Sequence, residues 1–96
     1  MPFVLKHRIT SEIFACRLVN VYSIPYYGVK YWDDPSQAEA EAAAMLKAHG
    51  AGEEDDWTVA EIGEHQLKLC NVRLANDENR KIFMDKNGGI SAVRPS

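Results

Sequence analysis

The chain has 96 residues, of which 46% are hydrophobic and 26% are charged, and its formal net charge is −3. This length predicts a single domain (residues 1–96) with one modest core, and the ordinary hydrophobic content argues against a disordered chain. The sequence has no apolar run of roughly 18 residues that could cross a membrane, and its start lacks the basic region of a secretory signal, so we expect a cytoplasmic protein.

The charges are sorted along the chain. Residues 1–32 carry four basic side chains and one acidic side chain. Residues 33–64 carry one basic and ten acidic side chains, and residues 65–96 carry six basic and three acidic ones. Such an acidic centre between two basic ends shapes the electric field of a protein and its choice of partners, but it does not determine the fold.

The N-terminal part of the sequence predicts a β-hairpin. Residues 2–10 alternate between apolar and polar side chains, and residues 13–22 are rich in β-branched and aromatic residues, so each segment is expected to form a strand. A turn at Ser11-Glu12 would place most large apolar groups on one face of the hairpin. The register that results pairs Ile9 with Phe14, His7 with Cys16 and Leu5 with Leu18.

A helix over residues 35–49 follows an aromatic segment. Residues 23–32 are expected to begin with a turn around Pro25 and Gly28 and to end in a short strand from Val29 to Trp32. The helix then begins after Asp34, a favourable N-cap, and its interior is rich in alanine. Pro35 suits the first helical position, Gln37 can complete a capping box, and Gly50 ends the helix.

The C-terminal half is predicted to be mostly strands. Residues 57–62 allow a strand or a short helix, and their β-branched residues favour the strand. Residues 65–75 are predicted to form a strand with a bulge near Cys70-Asn71, because the apolar phase shifts there. Two further strands, residues 80–85 and 90–94, flank Asn87-Gly88-Gly89, which is typical of a hairpin turn.

These elements predict an α+β fold with the order ββ(β)αβββ. In it, an antiparallel sheet of about five strands carries one helix, residues 35–49, across one face. No internal repeat or linker divides the chain.

No group of residues indicates a catalytic site, a metal or a cofactor. The expected proximity of His7 and Cys16 would suit a nucleophilic thiol, but apolar neighbours raise the pKa of a thiol and make it inert, so we expect a core cysteine. The second thiol, Cys70, is far away in the sequence, and both are expected to be reduced. The histidines and cysteines lack the paired spacing of zinc ligands, and Asp85–Gly89 lacks the ligand set of a calcium loop.

Two groups of residues are candidates for binding. Five of the nine aromatic residues lie within eleven positions, and tyrosine and tryptophan are well suited to interfaces and ligand pockets; they are Tyr22, Tyr26, Tyr27, Tyr31 and Trp32. Three basic residues, Lys6, Arg8 and Arg17, are expected on the hairpin face away from the helix. There they would share an open sheet surface with Val4, Ile13, Ala15 and Val19.

The sequence therefore favours a small non-enzymatic interaction or regulatory protein, expected to be a homodimer. It would bind through the open sheet face and the Tyr22–Trp32 segment, and its acidic centre could suit a basic protein partner. The alternative is a small-molecule-binding domain with an aromatic pocket between helix and sheet, lined by Tyr26, Tyr27, Tyr31, Trp32 and Met45. Nucleic-acid binding by the sheet face ranks third, because the chain is acidic and has no RNA-binding motif.

Overall fold

The computed structural model of the chain describes residues 1–94. Its strands are β1 (Phe3–His7), β2 (Glu12–Ile13), β3 (Ala15–Val19), β4 (Pro25–Val29), β5 (Trp57–Glu61), β6 (Lys81–Met84) and β7 (Ile90–Val93). The helices are α1 (Pro35–Ala48) and α2 (Glu64–Leu74), with a short 3-10 turn at Glu54–Asp56. Neither described helix has the length and apolar character that a membrane-spanning segment needs.

Five strands form one antiparallel sheet in the order β5-β1-β2-β6-β7, and β3 and β4 form a separate antiparallel ribbon. The expected α+β class with an antiparallel sheet of five strands is thus confirmed. The expected single helix is wrong, because the structure has two helices.

The two helices pack on opposite faces of the sheet, α1 against β1 and β5 and α2 against β6 and β7. The α1 core contains Leu5, Phe14, Cys16, Trp32, Ala38, Ala42, Leu46 and Trp57. The α2 core contains Val4, Ile13, Val29, Ile62, Leu67, Cys70, Leu74, Ile82 and Met84. The sheet face that was expected to be open is therefore covered, because Val4 and Ile13 are buried in the α2 core.

The expected hairpin between residues 2–10 and 13–22 is also wrong. β1 pairs with β5 along its whole length, and it meets β2 only at Lys6 and Ile13. The Phe14 N–H donates to the Leu5 carbonyl at 2.9 Å, and beyond this residue the chain leaves β1 to pair with β4. His7 consequently lies opposite Trp57, whereas Cys16 lies opposite Gly28.

The predicted helix at residues 35–49 is confirmed as α1, which ends at Ala48 with His49 as its C-cap. The Asp34 side chain accepts a hydrogen bond from the Ser36 N–H at 2.9 Å, and Pro35 occupies the first helical position. Gly50 ends the helix with φ of 62°, a conformation that glycine adopts without the cost imposed by a side chain.

The predicted strand at residues 65–75 is wrong, since this segment is α2. Leu67, Cys70 and Leu74 are buried, and their spacing of three and four residues is that of one helix face. The Gln66 side chain accepts from the Gly63 N–H at 3.0 Å and so caps the start of the helix. Packing of these three side chains against the sheet outweighs the strand-like alternation of leucine and valine.

The remaining expectations had mixed outcomes. Residues 57–61 form a strand, as predicted, and so do most of residues 80–85 and 90–94, joined by a turn over Asp85–Gly89. The short strand expected at Val29–Trp32 is instead β4, which starts at Pro25, so that Pro25 and Gly28 lie in the strand rather than in a turn.

Candidate interaction site

The β3–β4 ribbon ends in an exposed apolar tip. Four large apolar side chains near its turn are mostly in solvent: Val19 (66% exposed), Val21 (92%), Tyr22 (79%) and Ile24 (57%). We call these four residues the apolar tip. Isolated exposed apolar residues are common on proteins, but four within six positions form a patch of the kind that interaction sites use.

Asn20 fixes the turn that presents the apolar tip. Its side-chain oxygen accepts hydrogen bonds from the Tyr22 N–H at 2.8 Å and the Ile24 N–H at 3.1 Å, and its carbonyl accepts from the Ser23 N–H at 3.0 Å. Ser23 adopts φ of 61° to complete the turn. Because the backbone is held in this way, the apolar side chains project outward at defined positions.

Two asparagines attach the ribbon to α2 and the turn after it. The Asn71 side-chain oxygen accepts from the Val29 N–H at 2.9 Å, and that of Asn76 accepts from the Tyr27 N–H at 2.7 Å. A Cβ atom at Gly28 would lie 3.0 Å from the same Asn71 oxygen and 2.9 Å from the Tyr26 ring, so this close approach requires glycine. Side-chain amide oxygens thus accept hydrogen bonds from the outward-facing N–H groups of β4, a role that a further strand would otherwise have.

The other edge of the ribbon, along β3, has no neighbouring strand within residues 1–94. The Asn20 N–H donates to the Ile24 carbonyl at 3.1 Å. Because hydrogen-bonding residues alternate along an antiparallel strand, the backbone groups of Leu18 and Cys16 also point toward β4. The backbone groups of Arg17 and Val19 therefore point away from β4, toward the free edge. An unpaired edge is a template for pairing with another chain.

The structure separates the five aromatic residues that the sequence singled out. Tyr22 belongs to the apolar tip, whereas Trp32 is buried in the α1 core and Tyr27 packs against the α2 core. Burial raises the pKa of Tyr27, and the nearby Glu12 raises it further. Tyr26 and Tyr31 line a surface cleft.

Trp32 and Met45 pack in or against the α1 core, so the pocket expected between helix and sheet is not formed by these residues. The side chains of Gln37 and Trp32 approach the Glu41 carboxylate and hold its pKa below the ordinary value. Trp32 Nε1 nevertheless lies outside hydrogen-bonding geometry with Glu41, and it has no partner within the described part of the chain.

The cleft lies beside α2 and has a volume of about 520 Å³. We call it the tyrosine cleft and define it by Tyr26, Tyr31, Asp33, Glu64, Lys68 and Asn71, with Pro2 and Leu67 completing its lining. Its walls combine two aromatic rings with two carboxylates and one ammonium group. This volume falls within the range of roughly 300–1,000 Å³ that is typical of small-molecule sites.

The three basic residues do not form a single patch of free cations. The Arg17 guanidinium donates to Glu78 Oε2 at 2.7 Å on the surface. Lys6 lines a shallow hollow together with Glu61 and Asp85. Arg8 is exposed in the loop after β1, where its backbone N–H donates to the Asp56 carbonyl.

Both thiols are buried. Cys16 lies in the α1 core and Cys70 in the α2 core, and burial raises the pKa of each, that of Cys70 to about 11. The thiolate, which is the nucleophilic form, is therefore disfavoured at neutral pH. No cluster of three or more potential metal ligands occurs between Met1 and Arg94.

Sequence reasoning did not select Val21 and Ile24 as site residues, although a signal for them was present. Asn20 and Ser23 are typical turn residues, and turns are normally polar. Apolar side chains between and beside them are therefore unusual, and this combination could have marked the turn as a candidate site. Neither a protein-family model, a curated protein nor a solved structure matches this chain.

Proposed function

We propose that the chain is a non-enzymatic interaction protein that forms a homodimer through the apolar tip and the free edge of β3. The observation that carries this proposal is the exposure of four large apolar side chains at the end of a ribbon whose outer edge is unpaired. The burial of both thiols argues against catalysis by a cysteine nucleophile.

A second copy of the chain fits this surface because two identical edges can pair antiparallel about a two-fold axis. If Leu18 lies on the axis, Arg17 of one copy pairs with Val19 of the other, and no like charges face each other. The two apolar tips then lie against the ribbons of the opposite copies. Arg17 and Glu78, which pair within one chain, are also placed near the axis, where each can exchange partners.

Magnitudes favour a weak dimer. Burying a valine or isoleucine side chain stabilises by about 1.5–3 kcal/mol. Six such side chains and two tyrosines, from two copies, compare with a cost of association of about 4–15 kcal/mol, so we expect a Kd in the micromolar range or weaker.

The outer strands β5 and β7 of the main sheet are edges as well. β3 differs from them because it continues directly into the apolar tip. Val93, at the end of β7, therefore provides a matched control for Val19: each is the last residue of an edge strand, and Val93 is 51% exposed.

The test is sedimentation equilibrium of the wild type, Val19→Lys and Val93→Lys, from about 10 to 500 μM, a range that brackets the expected Kd. We expect the mean mass of the wild type to rise from 10.8 kDa toward twice that value. Val19→Lys should remain monomeric, and Val93→Lys should follow the wild type. A wild type that stays at 10.8 kDa, or equal loss of association in both variants, would contradict the proposal.

Nucleic-acid binding remains a lower-ranked alternative. The net charge of −3 opposes binding to phosphates, and Glu78 already engages Arg17, one of the three basic residues that the sequence singled out.

A further inference from the structure

None of the four residues of the apolar tip lines the tyrosine cleft, although Val19 lines an adjoining hollow that shares Tyr26, Tyr31 and Asp33 with it. We propose that this cleft binds a small organic amine, a ligand with an apolar body and a cationic nitrogen. The inference goes beyond the proposed homodimer and does not depend on it.

The first support is the chemistry of the lining. The faces of tyrosine rings attract cations, and the cleft has two such rings, from Tyr26 and Tyr31. Leu67 and Pro2 supply apolar surface for the body of a ligand. Aromatic rings next to carboxylates are the combination that recognises an organic ammonium group.

The second support is the charge balance. Lys30 lines the adjoining hollow, and its ammonium group lies over the Trp32 ring, 5.1 Å from the ring centroid. The charged residues of the cleft lining itself are Asp33, Glu64 and Lys68, two acids and one base. Within residues 1–94, no ion pair engages any of these three side chains, so both carboxylates are available to a ligand. The excess negative charge favours a cation over an anion.

The third support is that part of the cleft is held in place before any ligand binds. The Tyr26 ring lies against Gly28, where a Cβ atom would come within 2.9 Å of it. Asn71 is fixed by the hydrogen bond from the Val29 N–H to its side-chain oxygen. A preformed wall lowers the ordering cost of binding, which matters most for small ligands.

Three probes with the same phenyl group and different charges test the inference: phenethylamine, the zwitterion phenylalanine and the anion 3-phenylpropionate. Each is titrated into the isotopically labelled protein, and the amide shifts of Tyr26, Tyr31 and Glu64 are followed. We expect phenethylamine to bind with a Kd of about 1 mM or tighter, phenylalanine more weakly, and 3-phenylpropionate not measurably. Equal binding of all three probes, or binding of none, would overturn the proposal.

A charge-matched pair of variants separates a specific site from general attraction to an acidic protein. The double variant Asp33→Asn/Glu64→Gln removes both carboxylates of the cleft, and Asp55→Asn/Glu53→Gln makes the same charge change in the loop before β5. We expect the first to weaken phenethylamine binding about tenfold and the second to leave it within about twofold. Equal weakening in both would show that the cleft confers no selectivity.

The variant Val21→Lys, which places a charge in the apolar tip, separates this inference from the homodimer. Because Val21 lines neither the tyrosine cleft nor the adjoining hollow, Val21→Lys should bind phenethylamine as the wild type does. Loss of amine binding in this variant would contradict a self-contained cleft, whatever the state of association.

Discussion

Val4 and Leu5 are adjacent in the chain and are buried in different cores. Val4 packs in the α2 core and Leu5 in the α1 core, and each is 1% exposed or less. Successive side chains of a strand point to opposite faces, so β1 can be buried on both sides only if each face has its own helix. This relationship explains why β1 offers no open face to a partner, whereas the β3–β4 ribbon keeps a free edge.

Leu46→Ala and Leu74→Ala should each lower the free energy of unfolding by about 2–5 kcal/mol, because each removes a fully buried side chain from one of the two cores. Val72 lies on the exposed side of α2, two residues from Leu74, and Val72→Ala should change stability by about 0.5 kcal/mol or less. Urea unfolding of the three variants gives these values. A large loss for Val72→Ala would support the strand that the sequence predicted at residues 65–75.

The error at residues 65–75 shows where sequence reasoning was insufficient. Leu67, Leu69, Val72 and Leu74 fit two short alternating runs, while Leu67, Cys70 and Leu74 fit a helix face equally well. Periodicity alone cannot separate these readings in a short segment. The deciding contacts are tertiary: the packing of α2 on the sheet and the amides that Asn71 and Asn76 extend to β4.

Elements with strong local signals were predictable. The N-cap, the proline and the terminal glycine defined α1 almost to the residue, and Asn87-Gly88-Gly89 marked the β6–β7 hairpin. The first hairpin failed because its register was chosen by matching apolar residues across one pair of strands. In the structure the same residues are divided between two cores. In addition, β1 pairs with β2 and β5, and β2 pairs with β1 and β6.

The hydrogen bond from the Val29 N–H to Asn71 should be important for attaching the ribbon. Val29 is buried, so Asn71→Ala leaves its N–H without an acceptor, at a cost of about 1–3 kcal/mol. Asn71→Asp keeps a side-chain oxygen at this position and should recover most of the loss. Thermal unfolding measures both variants, and equal destabilisation by alanine and aspartate would show that the acceptor is not what matters.

Gln66 joins α2 to the β6–β7 turn. Its side-chain oxygen accepts from the Gly63 N–H at 3.0 Å, and its Nε2 donates to the Gly88 carbonyl at 3.2 Å. Gln66→Ala removes both bonds and should cost about 1–2 kcal/mol. Gln37→Ala, on the exposed side of α1, is the matched control and should be nearly neutral, because its contact with Glu41 is exposed to solvent; a comparable loss there would show that the two Gln66 hydrogen bonds are not the cause.

Stability should fall at alkaline pH because of Cys70. Burial raises its pKa to about 11 in the folded protein, whereas the unfolded thiol titrates near 8.5. The stabilisation is therefore fully present below pH 8.5 and is lost as the pH rises toward 11, by at most about 1.4 kcal/mol per pH unit. Cys70→Ala removes this contribution, so its stability should fall less steeply than that of the wild type between pH 9 and 11 in urea unfolding. An equally steep loss of unfolding free energy in the wild type and in Cys70→Ala would show that Cys70 is not the cause.

The two thiols should also resist modification in the native state. Cys16 and Cys70 are buried with raised pKa values, so a thiol reagent at neutral pH should label them only through unfolding. Labelling rates measured in increasing urea should rise in parallel with the unfolded fraction. Rapid labelling of Cys16 without denaturant would show an accessible, reactive thiol.

The most direct test of the proposed homodimer is a concentration series of amide spectra of the wild type, from about 10 to 500 μM around the expected Kd. We expect the shifting signals to come from residues 15–24, which include the β3 edge and the apolar tip, while those of Val72 and Val93 stay constant. Spectra that do not change with concentration, or shifts centred on α2 or β7, would contradict it.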